Sequence, residues 1–188
     1  DLATATASPP AWLTSAHPEV LPVNADGTIL SPGGRQHWRS TSPVFRQYAL
    51  RLVRALAERY ADHPALVAWH INNELGCHNL YDYSDDAARA FRVWLQEHYA
   101  SLDELNAAWG TAFWSQNYLE WSDILPPRIA AAQGNPGQRL DFERFSSDAQ
   151  RDHLRAEMAV LGEITPGVPR TTNFMVAQNV RDIDYPSW

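Results

Sequence analysis

Leu66-Val67-Ala68-Trp69-His70-Ile71-Asn72-Asn73-Glu74 is the stretch that decides the fold. Its first six residues form a short apolar run with Pro64 just before it and polar residues just after, the pattern of a strand buried on both faces. The run stops abruptly in two amides and a carboxyl. Polar groups at the mouth of a buried strand are costly to place unless something uses them.

Outward from this strand the chain alternates. Upstream, Ser42-Pro43 reads as a helix start, with Ser as N-cap and Pro at the first helical position. Phe45, Ala49, Leu52, Val53, Leu56 and Tyr60 then recur at helical spacing. A loop rich in Pro, Gly and Ser is expected from about Trp12 to Thr41, preceded by a β-like run at Leu2–Thr6 that Ser8-Pro9-Pro10 stops. Downstream, Ser84-Asp85-Asp86 opens a helix with the stripe Ala88, Phe91, Leu95 and Tyr99. Ser101-Leu102-Asp103-Glu104 matches a capping box, and Gly110 closes that short helix. Thr111 to Asn135 lacks periodicity. A long helix follows, with Phe142, Phe145, Ala149, His153, Ala156, Val160 and Ile164 on one face. Pro166-Gly167 ends it, and Val168 to Met175 reads as a third strand with Asn173 near its end.

Strand and helix in alternation predict a parallel α/β sheet. A doubly wound sheet would announce a Gly-rich phosphate turn, and no G-x-G-x-x-G is present. A (β/α)8 TIM barrel puts its chemistry at C-terminal strand ends, where Asn72-Asn73-Glu74 lies. A whole barrel takes about 250 residues, so residues 1–188 are expected to be a partial catalytic barrel domain of about three βα units. The opening Asp1-Leu2-Ala3 and closing Asp184-Tyr185-Pro186-Ser187-Trp188 read as cuts through an ongoing pattern, so a piece of a longer protein is expected.

Composition removes several function classes. The chain has 188 residues, 45% hydrophobic and 20% charged, which disfavours extended disorder. Lys and Arg total 15 against 22 Asp and Glu, a net charge of −7 that argues against a nucleic-acid partner. No apolar run approaches the roughly 20 residues of a membrane span. The single cysteine excludes a disulfide framework or a cysteine-based zinc cluster, and fits a reducing, cytoplasmic setting. Eight Trp, seven Tyr and six Phe supply rings for a core and flat faces for sugar rings.

Read for chemistry, Glu74 is a candidate proton donor to a leaving-group oxygen, with Asn73 hydrogen-bonding the substrate. Facing a second carboxylate, such a carboxyl has its pKa pushed upward. The structural alternative is an Asn-Glu pair that caps the next turn. His70, Glu74 and His78 suggest a metal site, but their spacing of four suits a helix and the run is strand-like, so we expect none.

Six blocks in order along the chain resemble glycoside hydrolase family 42, the β-galactosidases. His70-Ile71-Asn72-Asn73-Glu74-Leu75-Gly76-Cys77-His78 is similar to that family's acid/base strand, and Ala5 to Leu13 to its earlier strand end and loop. Gly34-Arg35-Gln36-His37-Trp38, Leu105 to Ser115, Leu140 to Phe145 and Thr171 to Met175 extend the match. The resemblance implies a TIM barrel that releases terminal β-D-galactosyl residues, as from lactose, with retention. It implies Glu74 as general acid/base, Asn73 beside it on the sugar, Arg35 as the arginine contacting the galactosyl unit, and Trp114 near the aromatic lining. The nucleophile would lie beyond this chain, since Asp182 and Asp184 come too early, and the isolated chain should then be inactive. Many members carry a structural zinc held by four cysteines. Here those places fall on Arg39 and the stretch from Tyr83 to Ala88, so no zinc or other cofactor is expected. Family members often form homotrimers. The rival expectations are a galactoside-binding barrel without catalysis and a structural fragment whose aromatics serve a subunit interface. Glu74 pinned in an apolar interior or bridging surface arginines would break the enzymatic reading.

Overall fold

A computed structural model describes residues 1–175 and 182–188. Three strands form one parallel sheet in the order β1 (Leu2–Ala3), β2 (Trp69–His70), β3 (Arg170–Thr171). Leu2 pairs with Trp69 and Trp69 with Arg170. The strands are shorter than the sequence suggests, although their ladder runs further. Leu2 N donates to Ala68 O and Thr4 N to His70 O, both at 3.0 Å, while Trp69 N and Ile71 N reach Pro169 O and Thr171 O at 2.8 Å. Beyond Ile71 the backbone turns left-handed at Asn72 (φ 53°), which ends the extended run. The expected burial on both faces holds only for the end of the run: Trp69 and Ile71 are buried, whereas Val67 is 67% exposed.

Among the described residues, five α-helices accompany the strands. A short one, α1 (Ala11–Ala16), lies inside the stretch expected to be all loop. α2 (Pro43–Tyr60) links β1 to β2, and Ser42 Oγ accepts from Phe45 N as its N-cap. α3 (Asp85–His98) and α4 (Leu102–Trp109) are capped by Ser84 and Ser101, and Gly110 closes α4 at φ 63°. α5 (Pro136–Ile164) begins after the N-cap Asn135 and leads into β3. The stretch between α4 and α5 is not shapeless: Thr111 Oγ1 donates toward Asn106 and Asn117, and short 3-10 turns occupy Phe113–Ser115 and Trp121–Asp123.

Two apolar clusters form among the described residues. One joins α2, the sheet and the C-terminal half of α5, through Phe45, Val53, Trp69, Ile71 and Leu161. The other joins α3, α4 and the N-terminal half of α5, through Phe91, Leu95, Leu105, Trp109 and Phe142. The architecture is thus an incomplete α/β barrel: a parallel wall backed by α2 and α5, which pack on each other. Among the described residues no helix is long and apolar enough to cross a membrane.

Candidate active site

Because the strands are parallel, the segments leaving β1, β2 and β3 emerge on one edge. Thr4 to Thr6, Asn72 to Glu74 and Thr172-Asn173 therefore share the C-terminal rim of the sheet. The rim is strained. Ala5, Gln36, Asn72 and Glu74 all take positive φ (58°, 52°, 53° and 48°), a conformation that costs a non-glycine residue about 1–2 kcal/mol. Such strain persists only where the surroundings over-determine it, and it gathers at functional sites.

Those surroundings are hydrogen bonds. Asn72 Oδ1 accepts from Asn73 N at 2.8 Å, and Asn72 Nδ2 donates to Thr6 Oγ1 at 3.0 Å. Glu74 N donates to Asn173 Oδ1 from β3's end at 3.2 Å. Gln36 is the residue that sequence reasoning missed. Its side chain is buried, its Nε2 donates to Asn73 O at 2.5 Å and Glu74 O at 2.7 Å, and its Oε1 accepts from His78 N at 3.1 Å. One amide thus splints the whole turn carrying Glu74. The available signal was its place beside Arg35 in the Gly34-Arg35-Gln36-His37-Trp38 block.

Arg35 and Glu74 come together: the Arg35 guanidinium donates to Glu74 Oε2 at 2.5 Å, with side chains 54% and 22% exposed. The Glu74 carboxylate raises the Arg35 pKa above its ordinary value, first through that hydrogen bond. Among the described residues Glu74 is neither pinned in an apolar interior nor shared among surface arginines; it pairs with the other rim candidate. Asn73, next to Glu74 in sequence, is half-buried, with its backbone tied by Asn72 and Gln36. Cys77 lies beneath, its N–H donating to Glu74 O at 3.0 Å. Burial pushes its thiol pKa up, which suits packing rather than nucleophilic chemistry.

Trp114 does not join this group. It is 68% exposed and stacks on Phe113 in a separate cavity of about 960 Å³ shared with Tyr81, Trp109, Arg139 and Glu143. Its backbone, and that of Ser115, is also left-handed (φ 59° and 56°), an uncommon state for so bulky a residue.

The places where the resemblance would put zinc ligands hold another arrangement. Arg39 donates to Asp86 Oδ2 at 2.9 Å with both side chains largely buried, and Asp82 accepts from Ser84 Oγ at 2.5 Å and Val23 N at 2.9 Å. Burial raises the Asp82 pKa. A buried guanidinium repels a divalent cation and no thiolate is offered, so these residues do not fit zinc. Among the described residues no three His, Cys, Asp or Glu side chains converge as metal ligands, and His70 and His78 are not gathered around Glu74.

Comparison with known proteins points to one family. The Glyco_hydro_42 family profile, described as β-galactosidase, matches residues 1–188. A β-galactosidase from Arthrobacter sp is 57% identical over 187 residues, covering 100% of this chain and 27% of its own length. β-galactosidase BbgII of Bifidobacterium bifidum is 55% identical over 190 residues, covering 100% of this chain and 28% of itself. The crystal structure of a β-galactosidase from Bacillus circulans sp. alkalophilus superposes on 99% of this chain at a TM-score of 0.91, with 39% identity, over 28% of that structure. The chain therefore spans little more than a quarter of the relatives it matches. Match and fold together show that the chain belongs to glycoside hydrolase family 42, the β-galactosidase family.

Proposed function

We propose that the full-length protein containing this chain hydrolyses terminal β-D-galactosides with retention, and that Glu74 is its general acid/base. The observation that carries the reading is the rim turn: a carboxyl on left-handed backbone, splinted by Gln36 and Asn173, at the C-terminal end of a parallel strand and in contact with Arg35. In this reading Glu74 protonates the departing oxygen and then deprotonates the water that attacks the galactosyl–enzyme intermediate. The nucleophile is a carboxylate outside this chain, about 5–5.5 Å from Glu74, as retention requires.

The Arg35–Glu74 pair has a role in the cycle. Sugar hydroxyls draw Arg35 off Glu74 and accept its forked donors, which frees the Glu74 carboxyl to face the departing oxygen. Asn73 hydrogen-bonds the same sugar. Trp114, exposed and held in a strained turn, serves as an aromatic platform toward the leaving group rather than beside Glu74. No structural zinc takes part; the Arg39–Asp86 pair holds that loop instead.

Glu74→Gln in the full-length protein is expected to slow turnover of alkyl galactosides by about 10²–10⁴-fold, the span of general acid–base catalysis. Aryl galactosides with good leaving groups should lose much less. Azide should restore a Glu74→Gly variant and yield a β-galactosyl azide. Equal losses across leaving groups, with no azide product, would remove Glu74 from the acid/base role.

A further inference from the structure

Behind the rim lies a carboxylate that the chemistry above does not use. Glu157, on α5, is wholly buried, as is His153 one turn before it. Glu157 Oε2 accepts from Thr4 Oγ1 at 2.7 Å, and Glu157 Oε1 lies 3.1 Å from His153 Nε2. Thr4 Oγ1 in turn accepts from Asn72 N at 2.9 Å and lies 3.1 Å from Thr6 Oγ1, which also accepts from Asn72 Nδ2.

The chain has one direction. A carboxylate offers only acceptors, so the single hydroxyl proton of Thr4 goes to Glu157. The Thr4 oxygen is then left to accept, and it accepts from both the Asn72 amide and the Thr6 hydroxyl. Asn72 is thereby fixed on both its backbone and its side chain in the left-handed conformation, from which its Oδ1 receives Asn73 N. Charge-assisted bonds in a dry interior are the strong kind. An apolar pair at 153 and 157 would bury as well, yet His153 keeps Nδ1 buried with no partner among the described residues. That cost is tolerated where polarity is needed.

We propose that Glu157, acting through Thr4, is a positioning residue for catalysis: a buried carboxylate on α5 sets the hydrogen-bond direction that holds the Asn72-Asn73 turn and so aims Glu74. The proposal rests on the acid/base role of Glu74. A displacement of even 1 Å at such a group costs about 10²-fold.

The test is a set of variants of the full-length protein, assayed on alkyl and on activated aryl galactosides beside Glu74→Gln. Thr4→Val keeps the shape and removes the hydroxyl. It should lower kcat on alkyl galactosides by about 10- to 100-fold with KM within about threefold, and activated aryl substrates should suffer several-fold less. Thr4→Ser, which restores the hydroxyl, should recover kcat to within about threefold of the parent. Glu157→Gln, whose amide can donate as well as accept and so loosens the direction, should fall between them and carries the test if Thr4→Val does not fold. Folded Thr4→Val or Glu157→Gln with parental kcat on alkyl galactosides would overturn the proposal, as would losses equal on both substrate types. If Glu74→Gln itself shows no leaving-group dependence, the acid/base reading fails first, which separates the two outcomes.

Discussion

The two halves of α5 rest on different kinds of interior. Its N-terminal half places Phe142 and Phe145 among Phe91, Leu95, Leu105 and Trp109, mainly rings and branched chains, with Asp141, Ser146 and Ser147 buried beside them. Its C-terminal half backs the sheet, and there the wholly buried residues include Gln150, His153 and Glu157. Gln150 Nε2 donates to Asn79 O at 2.8 Å, and Glu157 serves Thr4. Apolar contacts fill space without direction, whereas hydrogen bonds fix a backbone at the expense of desolvation. The rim that carries Glu74 is held from the polar half. The contrast is that one interior stabilises and the other also aims.

The sharpest way to break that contrast is to remove the polar anchor. Glu157→Ala leaves Thr4 and His153 buried without their acceptor, and each buried group left unpaired costs about 1–3 kcal/mol. Urea unfolding of the full-length protein should show that loss, and kcat should fall with it. Changing His153→Phe and Glu157→Leu together should recover much of the stability while leaving kcat low. A double variant as active as the parent would show that the two interiors differ only in composition.

The apolar half should answer in the opposite way. Leu105 is fully buried, and Leu105→Ala should cost about 3 kcal/mol through lost burial and a residual cavity. The folded enzyme should keep its kcat and KM, since Leu105 packs in the cluster of α3, α4 and the N-terminal half of α5. A fall in kcat at temperatures where the variant stays folded would show that the second cluster also positions the site.

The same division governs what could be read from sequence. Local signals were legible because their partners lie three or four residues away. Ser42 and Ser84 cap their helices where helix starts are expected, and Gly110 takes the left-handed closing position. The Ser101 box is shifted, because Glu104 Oε2 accepts from Ala100 N rather than from the cap residue. The rim position of Asn73 and Glu74 followed from an apolar run ending in polar residues. What escaped was long-range and polar. The expected stripe of α5 holds at Phe142, Phe145 and His153, but its other members, Ala149, Ala156, Val160 and Ile164, give way to Gln150, Leu154, Glu157 and Leu161, one residue further round. Hydrophobic periodicity assigns Gln and Glu to solvent, so it rotated the face. Thr4 and Glu157 stand 153 residues apart, and Gln36 reaches Glu74 across 38. Neither pair leaves a local trace, although His153 and Glu157 at a spacing of four hinted at one. Trp114 was drawn to the site by resemblance alone, and its separate cavity is a feature of the long excursion between β2 and β3.

The smallest effect expected lies where the apolar half does contain a polar contact. Tyr99 donates to Asp141 Oδ2 at 2.6 Å, and Trp109 Nε1 donates to the same oxygen at 2.8 Å. Burial, with the Asp141 hydrogen bond second, pushes the Tyr99 pKa from 10.0 up to about 12. The folded state therefore holds the phenol proton more tightly than the unfolded chain does. The stability this contributes is fully present below pH 10 and is lost as pH rises through about 12. Tyr99→Phe should cost about 1 kcal/mol at neutral pH, because Asp141 keeps its bonds from Trp109 and Arg144. Its stability should then fall less steeply than the parent's between pH 10 and 12, in urea titrations at each pH. Turnover at neutral pH should be unchanged, because this hydrogen bond ties α3 to α5 far along the chain from Asn72. A Tyr99→Phe protein with the parental alkaline slope would assign that slope to another group; one with reduced kcat would mean that polar contacts aim Glu74 from both halves of α5.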